Sequence, residues 1–373
     1  MRKAFIFFFF SVSVSLFSQT YSFTHNGILR SYIVHLPTGY VASTQYPLVI
    51  NMHGYTSTAA QQQTYSQMDV VADTAKFIVV YPDGVNNAWN AGFGTNPTID
   101  DVGFLSALID TMKSKFSVNA LKIYSCGLSN GGFMSFRLAC ELHNKIAAIA
   151  PVAGLMSDST RLFCQNTCPV PVMYFHGTAD GVVNYNGALG YVSVDSTIKI
   201  WVSKDVCPQT PVSTNMPDIN PGDGCTVIRY VYSPGQNFSE VIFFKIINGG
   251  HTWPGGFPVV SLGNTNQDIK ASGEIWKFFR NHSLQCGSNA VLENNLLNQV
   301  NVFPNPSSGI FHISTPQPTI LNIEVYNVFG ERIYQYIGIS ANLLMDLSIQ
   351  PGGIYFMSAE TDSGISIHKI LKN

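Results

Sequence analysis

At 373 residues the chain exceeds what one ordinary core organises, so it divides into about two folded domains plus processing segments. Charged residues make up 11% of it, against roughly 25% in an average soluble protein. The formal net charge of -2 and the lack of any Lys/Arg cluster exclude nucleic acid and an anionic membrane surface as partners and fit a neutral substrate.

The chain opens on Met1-Arg2-Lys3, an apolar and serine-containing run from Ala4 to Phe17, and then Ser18-Gln19-Thr20. A charged start, an apolar stretch of about 7 to 15 residues and a small residue before the cut are the marks of a signal peptide. The run is shorter than the roughly 20 residues needed to span a bilayer. Residues 1–18 are therefore expected to be removed, leaving a secreted or surface-attached chain with no transmembrane segment. In an oxidising compartment some of the seven cysteines should pair. Cys207 and Cys225 bracket the turn-rich stretch Pro208 to Gly224, where a staple is expected, and Cys126, in an apolar strand, is expected to stay free. Cys164-x-x-x-Cys168 has no second ligand pair at zinc spacing, and no cofactor or metal motif occurs elsewhere.

From Ser31 to His282, short apolar β-type runs alternate with helical patterns. The runs are Tyr46 to Met52, Phe77 to Tyr81, Leu121 to Cys126, Ile146 to Pro151, Val170 to Phe175 and Val241 to Ile247. Apolar residues at three- and four-residue spacing predict helices over Gly103 to Lys115, Gly132 to Leu142, Ser193 to Lys204 and Ala271 to Asn281. This order predicts an α/β fold, a doubly wound, mostly parallel sheet, over residues 19–286. The composition changes after Cys286. Residues 287–299 are Asn- and Leu-rich and read as a linker. Alternating strands broken by Asn305-Pro306-Ser307-Ser308-Gly309, Phe329-Gly330-Glu331 and Pro351-Gly352-Gly353 then predict a small all-β, Ig-like sandwich over 300–373.

The chemistry concentrates in the first domain. Gly127-Leu128-Ser129-Asn130-Gly131 follows the run ending at Cys126 and opens a helix, the strand-turn-helix setting that a nucleophile elbow requires. A serine hydroxyl attacks only if a base takes its proton, so a histidine and an orienting carboxylate must follow. His251 lies in the glycine-rich stretch Asn248 to Gly256, directly after the run ending at Ile247. His176 precedes Gly177 in the acid's own strand and reads as structural, and His282 ends a helix and reads as a cap. Asp180 follows the run ending at Phe175, at the same end of the sheet; Asp195 and Asp205 fall on a helical pattern, and Asp218 and Asp223 within the cysteine-bracketed loop. Backbone N–H groups of Tyr55, in Met52-His53-Gly54-Tyr55-Thr56, and of Asn130 are expected to form the oxyanion hole. His53 reads as a hydrogen-bonding structural residue. Trp89, Phe93 and Trp253 are candidates to wall an aromatic or acyl pocket, with core packing as the equal alternative. Asp100 and Asp101 read as caps of the helix that follows.

These stretches, together with Tyr81-Pro82-Asp83-Gly84, Trp89-Asn90-Ala91-Gly92, Asp100-Asp101-Val102-Gly103-Phe104, His176-Gly177-Thr178-Ala179-Asp180 and Gly250-His251-Thr252-Trp253-Pro254-Gly255-Gly256, resemble the polyhydroxybutyrate depolymerase family, which includes feruloyl and acetyl-xylan esterases. The resemblance implies an α/β-hydrolase fold, a serine esterase and a triad falling on Ser129, Asp180 and His251. The implied substrate is an ester of, or derived from, a polymer: hydroxycinnamoyl or acetyl groups on plant polysaccharide, or alternatively polyhydroxybutyrate. Val302-Phe303-Pro304-Asn305-Pro306-Ser307-Ser308-Gly309, Val325 to Glu331, Gly353-Ile354-Tyr355-Phe356 and the basic end Lys369 to Lys372 resemble the type A sorting domain of the type IX secretion system. That likeness implies the secretion machinery as a partner and delivery across an outer membrane. It departs from extracellular polyester depolymerases, which carry a polymer-binding domain there. An α/β-hydrolase fold that lost activity and serves as a surface binding module is the alternative of another class.

Overall fold

The computed structural model describes residues 18–373 except 93, 95, 165, 167, 287–299, 329–330 and 362–363, with the backbone alone described at 316–320, 361 and 364–367. Nearly all of the expected signal peptide and the whole expected linker lie outside the described residues. The chain divides into two compact units, Met1–Gly287 and Ser288–Asn373.

The first unit is a ten-stranded sheet of β1 (Gln19–His25), β2 (Ile28–His35), β3 (Tyr46–Met52), β4 (Ile78–Pro82), β5 (Val118–Leu128), β6 (Ala148–Val152), β7 (Val172–Gly177), β8 (Val212–Asn215), β9 (Thr226–Tyr232) and β10 (Val241–Ile247). Their order across the sheet is β1-β2-β4-β3-β5-β6-β7-β10-β9-β8. The run from β4 to β10 is parallel, and antiparallel strands close both edges. The helices are α1 (Ala59–Ser66), α2 (Met68–Ala75), α3 (Asp101–Lys115), α4 (Asn130–Glu141), α5 (Asp158–Phe163), α6 (Val194–Lys204) and α7 (Ala271–Phe279).

The strand sequences explain the two layers. Leu48, Ile50 and Met52 of β3 join one core with residues of α3, α4 and α6, while the intervening Val49 joins the other with residues of α1, α2 and α7. A strand buried on both faces needs apolar residues at every position, which is why these strands read as unbroken apolar runs. The N-terminal hairpin β1–β2 turns at Asn26-Gly27, both at positive φ (49° and 79°), the pair best suited to a tight two-residue turn. At the start of α3, Asp100 caps the helix by accepting the Gly103 N–H at 2.8 Å. Asp101 has another task. It is fully buried, pairs with Arg30 at 2.7 Å and accepts the Asn90 N–H at 2.7 Å, tying the edge hairpin to the helix and to the loop after β4.

Two disulfides, Cys140–Cys164 and Cys168–Cys286, brace this unit, and Cys126, Cys207 and Cys225 are free and buried. The expected Cys207–Cys225 staple is therefore corrected: Cys207 packs in the α3/α4/α6 layer and Cys225 in the opposite layer, so the sheet stands between them.

The second unit is all antiparallel: β11 (Asn301–Phe303), β12 (Ile310–Tyr326), β13 (Arg332–Asp346), β14 (Gly353–Thr361) and β15 (Gly364–Lys372). The long β12 pairs β13 on one side and β11 then β14 on the other, with a register break between Ser314 and Thr319. Phe311 and Ile313 before the break and Leu321, Ile323 and Val325 after it enter the same core with Met345, Tyr355 and Met357. One continuous sheet thus wraps around its own apolar face, as an all-β sandwich requires.

Candidate active site

Three of the parallel strands end at one edge of the sheet, and each delivers one polar group there. Ser129 follows β5, Asp180 lies in the turn after β7, and His251 lies in the loop after β10. In open α/β sheets this carboxyl edge is where ligands bind.

Ser129 adopts φ 54° and ψ -117°, a conformation that L-residues rarely tolerate and that costs about 1 to 3 kcal/mol unless the surroundings enforce it. The surroundings do enforce it. Its N–H donates to the Val152 carbonyl at 2.8 Å and its carbonyl accepts the Phe133 N–H at 2.9 Å, so the turn is held on both sides. The flanking glycines are required by close approach rather than by flexibility. A Cβ on Gly127 would lie 2.6 Å from the Met52 carbonyl oxygen, and one on Gly131 would lie 2.3 Å from the same atom. The result is a serine on a sharp bend at the N-terminus of α4, where the helix leaves unpaired N–H groups and a positive dipole end.

Asp180 is buried, and its carboxylate is fully engaged. Oδ1 accepts the N–H groups of Val182 (2.9 Å) and Val183 (2.8 Å), and Oδ2 accepts from His251 Nδ1 at 2.8 Å. Burial acts to raise this carboxyl, but the His251 hydrogen bond, the electrostatic pull of the His251 and His176 rings and the Val183 N–H outweigh it, holding the group below the ordinary carboxylate range. The loop bearing His251 is itself fixed, because the His251 N–H donates to the Leu262 carbonyl at 2.7 Å and the Gly250 N–H to the Asn264 carbonyl at 2.8 Å.

The other two histidines near the site are wired into the scaffold. His176 is fully buried; it donates from Nε2 to the Val183 carbonyl (2.8 Å) and accepts the Tyr174 hydroxyl at Nδ1 (2.6 Å). Burial pushes its pKa down to about 4, so the ring is neutral at ordinary pH. His53 accepts the Gly84 N–H at Nε2 (2.9 Å) and donates from Nδ1 to the Gly54 carbonyl (2.7 Å), with burial again lowering its pKa. These bonds shape the loop that brings Gly54 against Ser129, where a Cβ would come 3.4 Å from the serine Cβ. Tyr55 follows, exposed at the mouth of the site. Among the described residues, neither the Tyr55 N–H nor the Asn130 N–H has a protein acceptor.

A cleft of about 570 Å³ opens over these groups, lined by Gly54, Tyr55, Gln61, Tyr65, Leu128, Ser129, Val182, His251, Val259 and Leu262 among others. The expectation that Trp89 and Trp253 wall it is corrected. Both are fully buried, and each uses its indole N–H inside the scaffold. Trp89 donates to the His53 carbonyl at 3.0 Å, and its backbone N–H meets the Asn130 side-chain oxygen at 2.6 Å. Trp253 donates to Ser272 Oγ at 3.1 Å, and its backbone N–H meets the Tyr65 hydroxyl at 3.2 Å. The two indoles lock the loops that carry the site instead of facing substrate; Phe93, the third expected wall, lies outside the described residues. The wall residues that sequence reasoning missed, Tyr65, Val182, Val259 and Leu262, come from α1 and from loop positions adjoining the acid and the histidine. Only Val182, two residues from Asp180, carried a usable signal.

Residues 29–175 match the family model described as "Putative esterase", and residues 301–373 match the one described as "Secretion system C-terminal sorting domain". The chain is 31% identical over 239 residues to feruloyl esterase B of Piromyces equi, covering 60% of this chain and 42% of that protein. It is 29% identical over 273 residues to feruloyl esterase D of Neurospora crassa, covering 70% and 85% respectively. It is also 29% identical over 214 residues to poly(3-hydroxyalkanoate) depolymerase C of Paucimonas lemoignei, covering 55% and 51%. The chain thus spans less than half the length of the first of these relatives.

Proposed function

We propose that the chain is a serine esterase that acts outside the cell or at its surface and removes hydroxycinnamoyl or acetyl groups from plant polysaccharide, a reading supported by the matches to an esterase model and to a secretion-system sorting-domain model. The observation that carries the reading is the 2.8 Å bond between Asp180 Oδ2 and His251 Nδ1 on the rim of the cleft that exposes Ser129. Asp180, held ionised, keeps the imidazole proton on Nδ1. That leaves Nε2 as the free base. The Ser129 hydroxyl gives its proton to Nε2 as its oxygen attacks the ester carbonyl, and the developing oxyanion takes hydrogen bonds from the Tyr55 and Asn130 N–H groups. Collapse of the tetrahedral intermediate returns that proton to the departing sugar oxygen and leaves an acyl-serine. Water, deprotonated in turn by His251, releases the carboxylic acid and restores the serine.

The substrate class rests on the relatives, two of which are feruloyl esterases, and on a cleft whose Tyr55, Tyr65, Val182, Val259 and Leu262 offer apolar surface to a planar acyl group. The polyester depolymerase among the relatives makes polyhydroxybutyrate the competing substrate. The test compares specificity constants for methyl ferulate and acetylated xylo-oligosaccharide with 3-hydroxybutyrate release from polymer films, using Ser129→Ala as blank. Fluorophosphonate labelling of wild type but not of Ser129→Ala is expected. Film erosion with negligible ferulate or acetate release would overturn the substrate, and folded wild type that resists the probe would overturn the esterase.

A further inference from the structure

A second cavity, about 460 Å³, lies between the turn that contains Asn220 and Asp223 and the segment from Pro258 to Gln267. Its size is within the roughly 300 to 1,000 Å³ of small-molecule sites. The segment it shares with the cleft of Ser129 is the dividing wall: Val259 and Leu262 line the catalytic cleft, whereas Pro258, Val260 and Asn264 line this one. Val260 stands on the crest at 94% exposure.

The lining has a definite chemical character. It contains no lysine, arginine or histidine, and it presents the carboxamides of Asn220, Asn264 and Gln267 beside the carboxylate of Asp223. Asp223 is oriented by the Cys225 N–H (2.7 Å) and the Gln267 N–H (2.6 Å), and Gln267 by its bond to the Gly256 carbonyl (2.9 Å). The side chains of Asn220 and Asn264 are exposed and make no hydrogen bond to other described residues. Each carboxamide offers two donors and an acceptor, which matches hydroxyl groups, themselves both donors and acceptors. Pro258 and Val260 add apolar surface suited to the C–H face of a ring. A phosphate would find no such complement, since the one fixed charge is a carboxylate, and among the described residues no group of three or more His, Cys, Asp or Glu gathers here to hold a metal ion.

We propose that this cavity is a glycan subsite, which holds a neutral sugar of the polysaccharide whose ester is presented to Ser129 on the other side of the 258–264 wall. The inference rests on the esterase reading above and extends it to the leaving-group side of the ester. The wall couples the two cavities, because the Asn264 carbonyl also accepts from the Gly250 N–H and the Leu262 carbonyl from the His251 N–H. A sugar held here is thereby registered against the loop that carries the base.

The experiment uses the mature protein and the double variant Asn220→Ala/Asn264→Ala, which removes side chains and leaves the backbone bonds of both residues. For acetylated xylo-oligosaccharide, kcat/KM should fall about tenfold through KM, the loss expected for two neutral hydrogen bonds. Methyl ferulate and p-nitrophenyl acetate should be hydrolysed as by wild type. Calorimetry with unesterified xylo-oligosaccharide should show saturable binding to Ser129→Ala that the double variant weakens by the same factor. Equal effects of the double variant on small and oligosaccharide esters, or oligosaccharide kinetics unchanged by it, would overturn the subsite. Hydrolysis of none of the esters by wild type would overturn the esterase reading alone, and the calorimetric comparison would still decide the subsite.

Discussion

Replacing Asp180 by asparagine leaves the volume unchanged and alters one atom, and the surrounding bonds determine which. Two backbone N–H groups, from Val182 and Val183, meet Oδ1 at 2.9 and 2.8 Å, so an asparagine must place its carbonyl oxygen there. Its Nδ2 then takes the position of Oδ2, 2.8 Å from His251 Nδ1. An amide NH2 donates and cannot accept, so the imidazole keeps the contact only by accepting at Nδ1 and carrying its proton on Nε2. The nitrogen left to face Ser129 then has no lone pair to offer. Loss of the base through the wrong tautomer lowers kcat by about 10⁴ in serine hydrolases, equivalent to about 5.5 kcal/mol of barrier. KM for methyl ferulate should hardly move, since no atom lining the cleft has changed. Steady-state hydrolysis and the rate of fluorophosphonate labelling should fall together, with the circular dichroism spectrum that of wild type. Retention of more than about one tenth of kcat would refute the assignment of Asp180 as the orienting acid.

Two other outcomes follow from the fold. Asp205 is buried at the end of α6, with the Val170 N–H on Oδ1 at 3.1 Å and no partner on Oδ2 among the described residues, and burial pushes its pKa from 3.8 up to about 8 against the weaker pulls of the Val170 N–H and Lys204. The folded chain therefore keeps a proton that the unfolded chain has already released, so stability should be greatest below about pH 4 as far as this group is concerned and should decline as pH rises towards 8. At about 1.4 kcal/mol per pH unit the whole effect is bounded at about 6 kcal/mol. Urea unfolding at pH 5 and pH 8 should show a smaller drop in midpoint for Asp205→Asn than for wild type, and parallel pH profiles would contradict the account. Separately, a mature chain ending at Gly287 keeps the ten-stranded sheet and both disulfides and should hydrolyse methyl ferulate as the full chain does while no longer reaching the surface of its native host; a folded truncation without activity would show that residues 288–373 serve the chemistry.

The parallel centre of the sheet was legible because burial on both faces leaves no freedom in composition. β3 and β10 coincide with the apolar runs Tyr46–Met52 and Val241–Ile247 at both ends. The edges were harder. β1 alternates half-buried with exposed residues and β2 buried with half-buried ones, and the Asn26-Gly27 turn between them was the available signal. β8 is exposed throughout and has no pattern to read. α1 is rich in Gln, Ser and Thr and lacks an apolar stripe, yet its capping box, Thr58 with Gln61, marks its start in the sequence. Its polar face is used: Gln62 donates to Asn51 at 2.8 Å and Asn51 to Ser66 at 2.9 Å, a buried network that fastens the helix to β3 where helix periodicity predicts nothing.

The site divides along a similar line. Ser129, Asp180 and His251 could be expected at one edge because each follows a strand whose end the sequence marks, and a rigid sheet converts three strand ends into one place. The indoles of Trp89 and Trp253 could not be resolved between pocket and core from sequence, because proximity to His251 or to a glycine loop fixes where a backbone lies and not which way its side chain turns. The direction was decided by hydrogen-bond demand. A buried indole N–H needs an acceptor, and the His53 carbonyl and the Ser272 hydroxyl supply it on the inward side. Substitution of either tryptophan is therefore a perturbation of loop position, felt through Asn130 in one case and through the loop of His251 in the other. The cleft is walled instead by Tyr65, Val182, Val259 and Leu262, residues of ordinary type of which only Val182, next to the acid's turn, has a position the sequence marks. A serine, an acid and a histidine at three strand ends leave a signature because their geometry is demanding, whereas the wall of a cleft needs only shape and apolar area, which many side chains can provide.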